Sequence, residues 1–204
     1  MDIIIETAPS KHTQNATLPA TPHAHLPTHP PALGVFHFRH ATGPHTIGSH
    51  TTGPHTPWPC ALGRGGIRAD KREGDEASPA GTWALRQVWY RPDRWQKPDT
   101  KLPIRAIAKT DGWSDDPKDT AYNRVIRRPH AFHCETLWRD DRLYDVFIEL
   151  GYNDDPPIAG KGSAIFLHLA TEDYAPTQGC AALAPEHMRL LLPHLTQAMT
   201  LTFR

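Results

Sequence analysis

One cysteine and one histidine in this chain have the types and spacing to do chemistry together. His168 lies in Ile165-Phe166-Leu167-His168-Leu169, and Cys180 follows twelve residues later, directly behind Gly179. A thiolate is a strong nucleophile, and an imidazole beside it can take the thiol proton and stabilise the charge. Alternation at period two places Ile165, Leu167 and Leu169 on one face of a strand and Phe166 and His168 on the other. Gly179 can take backbone angles closed to other residues, so the chain can turn sharply into Cys180. Successive N–H groups in such a turn can converge on an oxyanion. A plainer reading stands beside this one. A histidine in an apolar strand is usually a satisfied core residue, and a cysteine is usually a small buried hydrophobe.

Several elements must position the pair. After Ala184, Pro185 suits a first helical position, and Met188, Leu191, Leu192 and Leu195 make an apolar helix face that Pro193 ends or kinks. Upstream, Cys60 to Ile67 reads as a strand with glycines that permit a bulge. Trp83 to Tyr90 is aromatic and β-prone, Ile104 to Ala108 is a shorter strand, and Arg142 to Leu150 is another beside 163–169. Asp111 to Pro129 has turn formers and little periodicity, which marks a long and functional loop. Five or six short strands and few helices predict a mainly β fold, a sandwich with one short helix after the cysteine.

Length and composition bound the rest. The chain has 204 residues, a formal net charge of zero and three cysteines, Cys60, Cys134 and Cys180. One domain of 58–204 is expected, preceded by a mostly extended segment of 1–57. That segment holds nine of the 14 histidines, and Thr42-Gly43-Pro44-His45-Thr46 returns as Thr52-Gly53-Pro54-His55-Thr56. Its composition favours solvated chain over packed core, except at 33–40, whose alternation predicts one added strand. Charge balance gives no reason to expect nucleic acid as a partner, and no apolar run is long enough to span a membrane. The opening Met1 to Glu6 is too short and too acidic for a secretory signal. An odd number of cysteines without a close pair does not make a disulfide framework, although a Cys60–Cys134 bridge is open in an oxidising compartment. His130, His133 and Cys134 raise a zinc reading, but no second cluster has conventional spacing, so no metal is expected.

The stretch His168 … Thr177-Gln178-Gly179-Cys180 resembles the signature of the YkuD-type L,D-transpeptidases, cysteine enzymes that cross-link peptidoglycan. Lys71-Arg72-Glu73-Gly74-Asp75 followed by Ser78-Pro79-Ala80-Gly81-Thr82-Trp83 resembles the family's upstream Pro-Gly element, and Gly151-Tyr152-Asn153-Asp154-Asp155-Pro156 resembles a stretch of its compact, single-domain members. The resemblance covers roughly Cys60 to the C-terminus and implies the family's mixed-sheet sandwich. It implies Cys180 as nucleophile, His168 as base, the Leu169 carbonyl as orienter of the ring, and the N–H groups of Gln178, Gly179 and Cys180 as the oxyanion hole. Tyr152, Asn153, Arg64 and Thr177 are the candidates for substrate contact; for Tyr152 and Asn153 turn chemistry is the alternative, and for Arg64 a solvated surface. The implied substrates are peptidoglycan stem peptides as donor and acceptor, with no cofactor, a monomeric state, and a periplasmic or cell-wall location.

The chain departs from the family motif at two residues and in a His-to-Cys interval shorter than in many members. Gln178 stands where a histidine is usual, and Ala182 where an arginine is usual. The two residue departures lean the expected link toward 1–3, from L-Ala to diaminopimelate, over 3–3. Hydrolysis by the same fold and a non-catalytic murein-binding module are the rival readings.

Overall fold

The computed structural model describes residues 2–7, 32–38 and 57–204. The histidine-rich stretches and the ten-residue repeat lie outside them. Fourteen strands, one helix and one 3-10 turn make up the described chain, so it is mainly β. In order the strands are β1 (Asp2–Thr7), β2 (Leu33–Phe38), β3 (Trp58–Ala61), β4 (Ile67–Arg68), β5 (Ser78–Pro79), β6 (Gly81–Tyr90) and β7 (Ile104–Ala106). Then come β8 (Asp111–Ser114), β9 (Val125–Arg127), β10 (Cys134–Thr136), β11 (Val146–Leu150), β12 (Phe166–Leu169) and β13 (Ala181–Leu183). Helix α1 (Pro185–Leu191), the turn Leu192–His194 and β14 (Thr200–Phe203) complete the chain.

The main sheet closes on itself into a barrel, where the sequence predicted a mixed-sheet sandwich. Its order is β11-β12-β13-β3-β2-β1-β14-β6, and β6 pairs back to β11. Closure depends on the ten residues of β6. Gly81 to Ala84 pair with β14, whereas Leu85 to Tyr90 pair with β11 and the last three also with β7. A register shift opposite Glu149 and Leu150 adds one residue to β6. Such a bulge bends a strand and sharpens its twist, which closure requires. It also puts Leu85 and Val88, three apart, on the same inner side.

The interior is packed. Ile3, Ile5, Phe36, Cys60, Leu62, Val146, Ile148, Leu167, Leu169, Leu183, Leu201 and Phe203 belong to one buried cluster. Fully burying such a side chain contributes about 1.5–3 kcal/mol each. β1 was not predicted; the β-branched Ile3 and Ile5 are suited to a strand, and both are fully buried there. β2 agrees with the strand predicted at 33–40.

A second layer covers part of the outside. Trp89 from β6, Phe147 from β11 and Phe166 from β12 point outward and meet Trp113 of β8, with Ile107, Leu137 and Tyr144, in a separate cluster. β8 is the centre of a three-stranded sheet, β10-β8-β9, in which β8 and β9 come from the region predicted as loop. The outward face of β12 is therefore buried as well. Helix α1 forms where expected, with Met188, Leu191, Leu192 and Leu195 all buried. β13 intervenes between Cys180 and the helix, where the sequence reading had only loop. Cys60 and Cys134 are free: Cys60 is buried in the barrel core and Cys134 stands on β10 in the outer sheet.

Candidate active site

His168 and Cys180 line one cavity of about 370 Å³. The strands explain why. β12 and β13 run parallel, with Leu167 opposite Ala181 and His168 opposite Ala182. Cys180 is the residue just before β13, so it shares the outward face with Ala182 and lies beside Phe166, two residues along the ladder from the His168–Ala182 pair. Ala182 is small, and it too lines the cavity.

Each reactive atom is held by backbone. His168 Nδ1 lies 2.8 Å from the Leu169 carbonyl oxygen. A carbonyl only accepts, so Nδ1 carries the proton, and the lone pair of the neutral ring sits on Nε2. Burial pushes the His168 pKa down to about 4, against a smaller upward pull from the Leu169 bond. The Cys180 thiol donates to the Ala164 carbonyl at 3.2 Å and accepts from the Phe166 N–H at 3.3 Å. Burial, and after it the charge of Glu135, pushes this thiol up to about 12. Both shifts favour the neutral forms, so burial favours a thiol beside a neutral imidazole over an ion pair formed in advance.

Other residues pack around His168. The Tyr144 ring stands edge-on to the imidazole with centroids 5.4 Å apart. The Tyr144 hydroxyl donates to Glu135 Oε1 at 2.7 Å, and Arg139 pairs with Glu135 at 3.5 Å. All three line the cavity. Sequence reasoning named none of them as site residues. The strand predicted over Arg142 to Leu150 begins only at Val146, so Tyr144 stands in the turn before it, and nothing local shows which neighbour such a side chain will meet.

The turn into Cys180 is tightly built. Thr177 Oγ1 donates to the Cys180 carbonyl at 2.6 Å and accepts the Gly179 N–H at 3.2 Å. The Gly179 amide, expected to point at an oxyanion, is engaged by that threonine, and Gly179 does not line the cavity. Gln178 and Cys180 do line it, and their N–H groups carry no hydrogen bond among the described residues. Gly179 has φ +136°, and a Cβ there would come within 2.8 Å of the Ala77 carbonyl oxygen. Gly179→Ala is thus expected to destabilise the protein by at least about 2 kcal/mol, read as a lower urea midpoint.

Of the four residues expected to touch substrate, only Thr177 lines the cavity. Tyr152 is buried in the barrel core, its ring 4.9 Å from Trp83 and its hydroxyl bonded to the Lys161 carbonyl. Asn153, at φ +49°, bonds Ile158 and Gly162 through both ends of its amide and staples its own loop. Arg64 is exposed and pairs with Glu76 at 3.2 Å. Asn153 and Arg64 thus follow their alternative readings, turn chemistry and solvated surface, whereas Tyr152 is neither a turn former nor a substrate contact but a core aromatic. The zinc trio also separates: His130 turns to Asp119 and His133 to Asp115, each at 2.6 Å.

Comparison with known proteins gives the same direction. No curated protein and no solved structure matches the chain. The family model of the L,D-transpeptidase catalytic domain (YkuD) matches residues 47–201, a stretch that holds His168, Cys180 and every strand from β3 to β13. On a match over most of its length, this chain belongs to the L,D-transpeptidase catalytic domain family.

Proposed function

We propose that the protein is a peptidoglycan L,D-transpeptidase that works through a thioester on Cys180. The observation that carries this reading is the shared cavity of Cys180 and His168, with the imidazole fixed by Leu169 so that Nε2 is left as the base. The family is one of cysteine-dependent transpeptidases that act on stem peptides.

The steps follow from the protonation states. Because the thiol is neutral, its proton leaves as the sulfur attacks the donor carbonyl, passing to His168 Nε2. The free N–H groups of Cys180 and Gln178 face the developing oxyanion. The imidazolium then protonates the departing amine, the C–N bond breaks and the thioester forms. An amine of a second stem attacks that thioester, gives its proton to His168, and expels the Cys180 thiolate, which takes the proton back. The acyl bond is conserved throughout, so no cofactor enters.

The link favoured by Gln178 and Ala182 is 1–3, L-Ala to diaminopimelate. With water as the second nucleophile the same site would be an L,D-carboxypeptidase or endopeptidase. Such substrates place the enzyme in the periplasm or cell wall. Among the described residues no helix is long and apolar enough to cross a membrane.

The test incubates wild type and Cys180→Ala with disaccharide tri-, tetra- and pentapeptides and identifies products by mass spectrometry. A Cys180-dependent dimer is expected, and its fragmentation places the link at the first or third residue. Shortened monomers alone would replace transpeptidation by hydrolysis. Unchanged turnover by Cys180→Ala would sink the cysteine mechanism, and binding with no product from wild type would leave the murein-binding module.

A further inference from the structure

The Lys71-Arg72-Glu73-Gly74-Asp75 stretch has no role in the acyl transfer above, yet one of its side chains enters the reactive cavity. Lys71 is almost fully buried and pairs with Asp75 at 2.5 Å. The same ammonium bonds the Arg72 carbonyl, and Asp75 accepts the N–H groups of Arg72 and Ala77. Gly74 turns the chain at φ +75°, and the Glu73 N–H bonds the Gly160 carbonyl. This clamp holds Glu73 in one place.

Glu73 lines the cavity with Ser163, Ala164 and Cys180. Its Oε2 accepts both the Tyr122 hydroxyl, at 2.5 Å, and the Ser163 hydroxyl, at 2.7 Å. Its Oε1 carries no hydrogen bond among the described residues, and no Lys, Arg or His pairs with it there. The other cavity carboxylates are matched: Asp115 has His133, and Glu135 has Arg139. Two neutral donors orient this carboxylate without neutralising it. Ser163 leads directly to Ala164, whose carbonyl holds the Cys180 thiol.

We propose that Glu73 anchors a protonated primary amine of the acyl donor, the side-chain ammonium of the diamino-acid residue of a stem peptide; this rests on the transpeptidase reading above. The Lys-x-Glu-Gly-Asp order then has a physical meaning. The lysine and aspartate build the clamp, the glycine makes the turn, and the glutamate reads the substrate. Recognition of the donor in this way is independent of which stem bond is cut.

The experiment measures release of the leaving peptide in a single turnover, with enzyme in excess and no added acceptor. Two donors are compared, one with the side-chain amine free and one with it N-acetylated, in wild type and Glu73→Gln. Wild type is expected to cleave the free-amine donor about tenfold faster, the worth of one hydrogen bond between charged groups. Glu73→Gln keeps the acceptor oxygen for Tyr122 and Ser163, and its preference is expected to fall to about onefold. A merely structural role would slow both donors and leave the ratio unchanged. Equal rates in wild type, or a ratio that survives in Glu73→Gln, overturn the anchor while leaving the transpeptidase reading intact. Release of nothing from either donor by wild type overturns that reading and the anchor with it.

Discussion

Replacing His168 by glutamine is expected to slow acylation by about 10²- to 10⁴-fold, the usual worth of a positioned general base. The effect is at the large end because the Cys180 thiol, raised to about 12 by burial, supplies almost no thiolate of its own at pH 7. Nε2 must take the proton during attack, and an amide cannot. The same residue predicts a pH effect on stability. His168 has its pKa lowered from 6.5 to about 4 by burial, so between those values the unfolded chain binds the extra proton. Stability from this group is therefore complete above pH 6.5 and is lost as pH falls toward 4. The loss is about 3 kcal/mol in all, with about 2 kcal/mol of it gone by pH 5. His187, lowered by burial, and His133, raised by Asp115, also respond in this window, so the difference between wild type and His168→Gln in urea unfolding at pH 7 and pH 5 is what isolates this histidine. Wild type should lose more stability than His168→Gln between the two. An equal loss would mean that the ring is not held neutral in the fold.

Cys180→Ser is expected to lower single-turnover acylation by at least about 10³-fold, since a hydroxyl is far harder to deprotonate and a weaker nucleophile than a thiol. The serine hydroxyl can still donate to the Ala164 carbonyl and accept from the Phe166 N–H. The melting temperature should therefore stay within a few degrees of wild type. Activity retained in the serine variant would remove Cys180 from the chemistry. A melting temperature lowered by ten degrees or more would mean that the sulfur is chiefly a packing atom of the outer cluster.

Local sequence carried the reactive strand well. Alternation from Ile165 to Leu169 placed Leu167 and Leu169 inward and His168 outward, as the barrel has them. Pro185 and the spacing of Met188, Leu191 and Leu192 located the helix, because an amphipathic face and an N1 proline are local signals. The turn at Gly179 was also legible, although the direction of its N–H was not. That direction depends on Thr177 Oγ1, a contact between side chain and backbone that spacing does not reveal.

Short strands were where local reading failed. β9 and β10 have three residues each, too few for a period to declare itself, and they are strands only because β8 lies between them. β13 and β14 follow the same rule, the first fixed by β3 and the second by β1 and β6, all far away in sequence. An alternating pattern reports which face is buried and says nothing of which strand lies beside it. By itself, then, the sequence singled out Cys180 and His168 as a candidate pair, the helix behind them and the mainly β character. Tertiary structure alone decided that the sheet closes and that Tyr152 and Asn153 serve packing and loop capping. It also decided that Glu73, Tyr144 and Glu135, which come from three separated segments, meet at the cavity. Those outcomes depend on non-local pairing and on the volume left between packed layers, and neither is written in any window of neighbouring residues.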